Sequence, residues 1–360
     1  MTAFLEITSR DPIVLRDGRP LVPGSRMKSV EWLYPSTVSG SLRTMVGKDL
    51  GTFEPAKLKA IEVAGAFPVK DNVLYLPTPK DCVLRSTPPA VFALQPRSEW
   101  RGLSNLPGGL VPLSLGDDVE DDFKPEKLPA FLGMPMLEAW LNDSRLEYPF
   151  QKHAPIIKSI EVEERMHVTL DSTRGAAAES LLFSSAGLVI PDGFTLQMRV
   201  RPNQTVRGVH PLGGERRIAL WRSTNKEALG WKCPESIQSS IASAQRVRLV
   251  LATPALFDNG WCPGWLLREG PVPNTSVKLR LIGACVGRAK HISGWSLEKG
   301  QVGPKASRRM APAGSVYLCD VISGSPEDLS ACWLESVSDA TQDQKDGFGL
   351  AIWGRGLAKE

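Results

Sequence analysis

The 360-residue sequence is poor in the side chains that bind metals or form cross-links, with six cysteines and four histidines dispersed along it. Cys82, Cys233, Cys262, Cys285, Cys319 and Cys332 include no C-x-x-C pair. His153, His167, His210 and His291 have no partner at ligand spacing, so neither a disulfide framework nor a zinc site is expected. No run of about 18 apolar residues occurs, which argues against a membrane-spanning helix. The opening residues MTAFLEITSR show neither a basic n-region nor an apolar h-region, so a soluble, cytoplasmic protein is expected. The net charge of +4 is too small for a polycation, and any anion binding must come from where the charge is placed.

Catalytic signatures are missing as well. There is no G-x-S-x-G, no H-E-x-x-H, no paired D-x-D and no Walker A motif. In GQVGPKAS the glycine spacing is too short for a phosphate loop, and Pro304 removes a backbone donor. GFGLAIWG stands too near the end for a crossover unit to follow, which excludes a dinucleotide fingerprint and leaves a turn that another backbone approaches closely. No catalytic residue, metal or cofactor is assigned on this reading.

What is present is strand-like alternation. In IEVEERMHVTL the apolar Ile160, Val162, Met166, Val168 and Leu170 share one parity and predict a buried face. Glu161, Glu163, Arg165, His167 and Thr169 predict a wet one. The turn DSTRG with Gly175 follows, so Ile160 to Ser185 reads as a long hairpin. FTLQMRV repeats the pattern, with Phe194, Leu196, Met198 and Val200 inward and Arg199 and Arg201 outward on an exposed face. STVSGSLRTMVGKDLG predicts a helix with Ser36 as N-cap and Gly51 as its left-handed stop. Strand, helix, hairpin, strand is a ferredoxin-like order. A second round follows in RVRLVLATPALF, SVKLRLIGACV, GSVYLCDV and a helix at SPEDLSACWLESV capped by Ser325. Residues 52–158 break the rhythm as a Pro-rich insertion, and its acidic run from Asp117 to Asp122 reads as a solvated loop.

Four stretches carry polar chemistry. The start of the first helix gathers Ser36, Thr37, Ser39, Gly40 and Ser41 at its positive end, with Arg43 one turn on. That fits an anion site, and close packing against a sheet explains the small residues equally well. HPLGGERRIAL sets Arg216 and Arg217 after a Gly-Gly pair, with Glu215 as a possible ion-pair partner. In SRDPIVLRDGRP, Arg10, Arg16 and Arg19 beside Asp11 and Asp17 suggest a hairpin turn at Asp17-Gly18. Between Arg288 and Arg309 stand Arg288, Lys290, Lys299, Lys305, Arg308 and Arg309 against the single acid Glu298, with His291 and Trp295 among them. A single RNA strand needs cations spread along its phosphates and a ring on which a base stacks, and this segment offers both. The competing reading is a solvated loop whose Trp295 packs inward.

The phrases SRDPIVLRDGRP, YPSTVSGSLRT, HVTLDSTRGAAAESLLFSSAGL, LGGERR, RLVLATPALFDNGWCPGW, ISGW, APAGSVYL and DGFGLAIWG occur in this order. Together they resemble the family of third subunits of the Cmr complex, the type III-B CRISPR effector, within the RAMP superfamily. The resemblance implies an α+β chain of two ferredoxin-like (RAMP / RRM-like) domains. These would be 1–215, with the insertion at about 52–158, and 216–360, with the basic loop 286–314. It implies a non-catalytic subunit at the base of the assembly that holds the 5′ repeat-derived tag of the guide RNA (crRNA). It also implies docking on the large polymerase-domain subunit, with a backbone RAMP subunit on the other side. Matching by motif, the implied RNA contacts are Ser36, Thr37, Gly40, Arg43, His167, Arg174, Arg216 and Arg217. The segment before Pro312 adds Arg288, Lys290, His291, Trp295, Arg308 and Arg309. The alternative is a metal-independent endoribonuclease of the same superfamily using His167 or His291, against which the missing acid–base pair counts. A third reading is a nucleotide-sensing scaffold with its site at a subunit interface.

Overall fold

The computed structural model describes residues 2–16, 29–51, 54–97, 106–107, 109–116, 119–120, 122–171, 173–296 and 302–357. The Asp17-Gly18 turn, Arg19, Glu298 and Lys299 lie outside these residues, as do Asp117, Asp118 and Asp121 of the acidic run. The fold mixes α and β, with mostly antiparallel sheets and few helices. Packing groups the chain into two units, 1–70 with 160–226 and 291–309, and 71–159 with 227–290 and 310–360. Where the sequence reading has a single boundary at 215/216, the units interleave, and most of the stretch read as an insertion contributes to the second.

In the first unit, β1 (Ala3–Ser9) lies between Thr195–Arg201 and Ile218–Thr224. β3 (Glu62–Lys70) pairs outside the former, and Arg207–Pro211 pairs outside the latter. The register sets Leu5 opposite Met198 and Ile7 opposite Leu196, which places all four side chains on one face. They are buried with Val38, Leu42, Met45 and Val46 of helix α1 (Pro35–Asp49), whose spacing brings those residues to one side. Each such side chain contributes about 1.5–3 kcal/mol on leaving water.

Helix α1 starts one residue before the expected cap. Pro35, with its fixed φ, occupies the first turn, extended Tyr34 is the N-cap, and Ser36 lies inside the helix. Its end is as expected: Gly51 has φ +64° and donates its N–H to Lys48 O at 3.1 Å. The FTLQMRV strand departs from the expected alternation. Leu196, Met198 and Val200 are buried, but so are Gln197 and Arg199, at 3 % and 9 % exposure. A strand paired on both edges in the middle of a sheet can be covered on both faces, and Arg199 is not the outward cation its parity suggested.

The long hairpin exists as Glu161–Leu170 and Ala177–Val189. Its apolar face is open rather than buried as expected: Met166 and Leu170 are each 64 % exposed, Val162, Val168 and Leu182 are exposed too, and so are Glu161, Arg165 and Thr169 on the polar face. The hairpin joins the rest of its sheet only near its base, where Gly187 and Leu188 pair with Val14 and Ile13 of β2 (Ile13–Val14). No other strand pairs with the outer part among the described residues.

In the second unit the strands run in the order Lys278–Cys285, Val316–Ser323, Arg246–Leu251, Leu350–Arg355 and Glu335–Ser336. Two helices, Met134–Asp143 and Glu235–Ala242, pack on Leu350–Arg355. A Cβ at Gly354 would stand 2.8 Å from Leu141 O, so GFGLAIWG ends at the close backbone approach its glycines predicted. The helix expected at SPEDLSACWLESV is only a 3₁₀ stretch, Pro326–Cys332, followed by extended backbone. Trp333 lies beyond it, fully packed, donating its indole N–H to Gly230 O at 2.8 Å. That tertiary anchor wins over local helix propensity.

Candidate nucleic-acid interface

In the first unit a groove of about 600 Å³ opens where four pieces of chain converge. They are Val14 to Arg16 after β2, Tyr34 and Thr37 at the start of α1, Phe183 to Ser185 on the second hairpin strand, and the turn Gly213, Gly214 and Glu215. Glycine makes the convergence possible. A Cβ on Gly187 would stand 2.7 Å from Pro12 Cβ, and one on Gly213 would stand 2.6 Å from Val14 O. Gly214 donates its N–H to that same carbonyl at 2.7 Å. Gly213, at φ +84°, is therefore required by close backbone approach, whereas a Cβ on Gly214 would stand at an ordinary 3.4 Å from the same oxygen.

His167 reaches the groove through two of its wall residues. Its Nε2 shares a hydrogen bond with Ser185 Oγ at 2.8 Å, and its ring stacks on Phe183 with centroids 5.1 Å apart. The side chain is half-buried, so it is not the freely wet histidine of the alternation pattern. Thr37 lines the groove from the first turn of α1, where the helix dipole favours an anion, although its own N–H already donates to Tyr34 O at 3.0 Å. Ser36 is adjacent and half-buried, and Gly40 is exposed with open space around it.

Arg217 is half-buried and paired with Glu215, Nη2 to Oε2 at 3.0 Å, while Arg216 is exposed beside it. Among the described residues Thr37 is the one candidate that lines the groove; these arginines and the remaining candidates do not. Arg43 Nη2 donates to Ile61 O at 2.7 Å, tying α1 to the start of β3. Arg174 is exposed at the hairpin tip near Asp171, whose carboxyl is held below the usual range by hydrogen bonds from the Thr173 hydroxyl and N–H. The tip lies about 20 Å along the strand from Ser184 at the usual rise.

The basic segment is a ribbon, with Lys290–Ile292 pairing with Arg308–Met310 and Trp295–Ser296 pairing with Gly303–Pro304. Arg288, His291, Arg308 and Arg309 are exposed and Lys290 is half-buried, while the Trp295 side chain lies outside the described residues. Sequence reasoning missed Tyr34, Arg16 and the Phe183-Ser184-Ser185 wall. Phe183 and Ser185 share a parity on their strand, but nothing local marks that face as a groove wall.

The groove combines a helix start and hydroxyls that suit phosphate, two aromatic rings and a carboxylate. That mixture suits a nucleotide more than a simple anion. A family model described as CRISPR-associated protein (Cas_Cmr3) matches residues 5–356. No curated protein matches the sequence. Among solved structures, a chain of the cryo-EM structure of the type III-B Cmr-beta bound to cognate target RNA aligns with a TM-score of 0.52 at 15% identity, covering 97% of this chain and 96% of that one. A chain of Cmr-beta bound to cognate target RNA and AMPPnP aligns with a TM-score of 0.48 at 14% identity, covering 88% and 86%. The first of these similarities establishes a shared fold.

Proposed function

The chain belongs to the Cas_Cmr3 family of CRISPR-associated proteins, and from that premise we propose that it is a non-catalytic RNA-binding subunit of a type III-B effector complex serving antiviral defence. On this reading it holds the 5′ repeat-derived tag of the crRNA and bridges the large polymerase-domain subunit to the backbone RAMP subunit. The observation that carries the reading is the groove. The start of α1, the Gly-Gly-Glu turn and the wall backed by His167 meet at one place of nucleotide size. The exposed cations of the ribbon supply further phosphate contacts. In the first unit the strand order puts β1 between Thr195–Arg201 and Ile218–Thr224, with α1 on one face, which supports a ferredoxin-like domain. A second ferredoxin-like domain is part of the same proposal.

The engagement of His167 Nε2 by Ser185 suits a positioning role better than proton transfer, which needs a second acid or base in reach. The test is to incubate the purified chain with repeat-derived RNA in EDTA and to measure affinity against salt. Intact RNA and a salt slope that falls by roughly 0.7 per lost contact in Arg308→Ala/Arg309→Ala support the proposal. A defined cut that disappears in His167→Ala would replace it with the endoribonuclease reading.

A further inference from the structure

Gly214 to Arg217 form a tight turn, closed by the Arg217 N–H on Gly214 O at 3.3 Å, with Glu215 at φ +54° and Arg216 at φ +51°. Both central residues are left-handed, a type I′ geometry that Asn-Gly satisfies without strain. The two glycines available here are placed earlier, against Val14, and side chains with a Cβ occupy the strained positions. Strain held by non-glycine residues clusters at ligand clamps.

Glu215 is the acid that lines the groove among the described residues, and Arg217 holds one of its oxygens at 3.0 Å. A carboxylate repels phosphate, so in a groove that takes RNA its use is to accept hydrogen bonds from a base edge. Guanine alone offers two adjacent donors, N1–H and N2–H, matching two carboxylate oxygens. Adenine and cytosine set one amino group beside a ring acceptor, and the single imino N–H of uracil is flanked by carbonyls. Tyr34 and Phe183 in the lining offer ring surfaces beside it.

We infer that Glu215 is a specificity-determining residue that selects guanine for the base seated in this groove, an inference resting on the reading that single-stranded RNA runs through it. The test uses the full chain and short single-stranded RNAs carrying one guanosine, moved along an otherwise guanosine-free sequence. Each is compared with the same RNA bearing inosine, which lacks the N2 amino group. One position is expected at which guanosine binds about tenfold tighter than inosine, the discrimination of a good bidentate contact. Glu215→Gln should collapse that ratio and move preference towards adenosine, whose amino group and ring nitrogen match an amide. RNA binding without any guanosine-preferring position, or a preference that survives Glu215→Gln, overturns the inference and leaves the RNA-binding reading standing. A folded chain that binds none of the RNAs overturns both. If thermal unfolding shows that Glu215→Gln does not fold, Glu215→Asp, which withdraws the carboxylate by one methylene, supplies the same ratio.

Discussion

Arg248 and Asp81, 167 residues apart in sequence, form an ion pair at 2.9 Å in which each side chain is only 1 % exposed. Trp140 donates its indole N–H to the other carboxylate oxygen at 3.0 Å, and Arg248 Nε donates to Arg355 O at 2.7 Å. The guanidinium also stands 5.8 Å from the Trp140 ring centroid. A buried pair so satisfied does not betray itself by a large net gain in stability, but removing one member strands a charge in low dielectric. Asp81→Ala or Arg248→Ala should each cost about 3–5 kcal/mol in denaturant unfolding. Asp81→Leu/Arg248→Met should cost clearly less than the sum of the single changes.

His210 is 8 % exposed on the strand Arg207–Pro211. Burial, with Lys48 nearby, lowers its pKa from the ordinary 6.5, so the folded chain binds this proton less readily than the unfolded chain does. The stability it contributes is complete above that value and is lost as pH falls below it towards the folded value. Unfolding free energy should drop as pH falls below the ordinary 6.5, and His210→Gln should flatten part of that drop, while a profile unaltered by the substitution would contradict the burial cause.

The outer face of the long hairpin gives a prediction opposite to the one its alternation suggests. Met166→Ser and Leu170→Ser should each change the stability of the isolated chain by no more than about 0.5 kcal/mol, as exposed positions do. A loss of about 2 kcal/mol or more would mean that this face is covered in solution.

Gly213 combines φ +84° with a Cβ position 2.6 Å from Val14 O. Gly213→Ala should push the turn away from β2, destabilise the chain by about 1–3 kcal/mol and weaken RNA affinity. Gly175→Ala at the hairpin tip meets nothing within 4 Å, so only its φ of +62° opposes the change, and RNA affinity should fall less. Equal losses at the two sites would sever the link between the turn and the groove.

Much of the site can be read locally. The small-residue helix start, the Gly-Gly-Glu-Arg-Arg turn and His167 were all legible as residue types with a chemical purpose; the first two segments line the groove, and His167 stands behind its wall. The wall at Phe183 to Ser185 was not. Alternation with period two says that a strand has two unlike faces, but it does not say what lies over either. The same pattern therefore stands for the buried strand Thr195–Arg201, covered on both sides, and for the hairpin, left open on its apolar side.

By itself the sequence determined the strands, α1 with its glycine stop, the turns that need glycine and the family resemblance, because each follows from short-range sterics, periodicity or a run of motifs. Only the tertiary structure decided which faces are buried, that Arg248 and Asp81 meet, and that Val14 receives the Gly-Gly turn beside the hairpin wall. These depend on segments more than a hundred residues apart in sequence closing on one another, and burial is a property of what arrives from elsewhere in the chain.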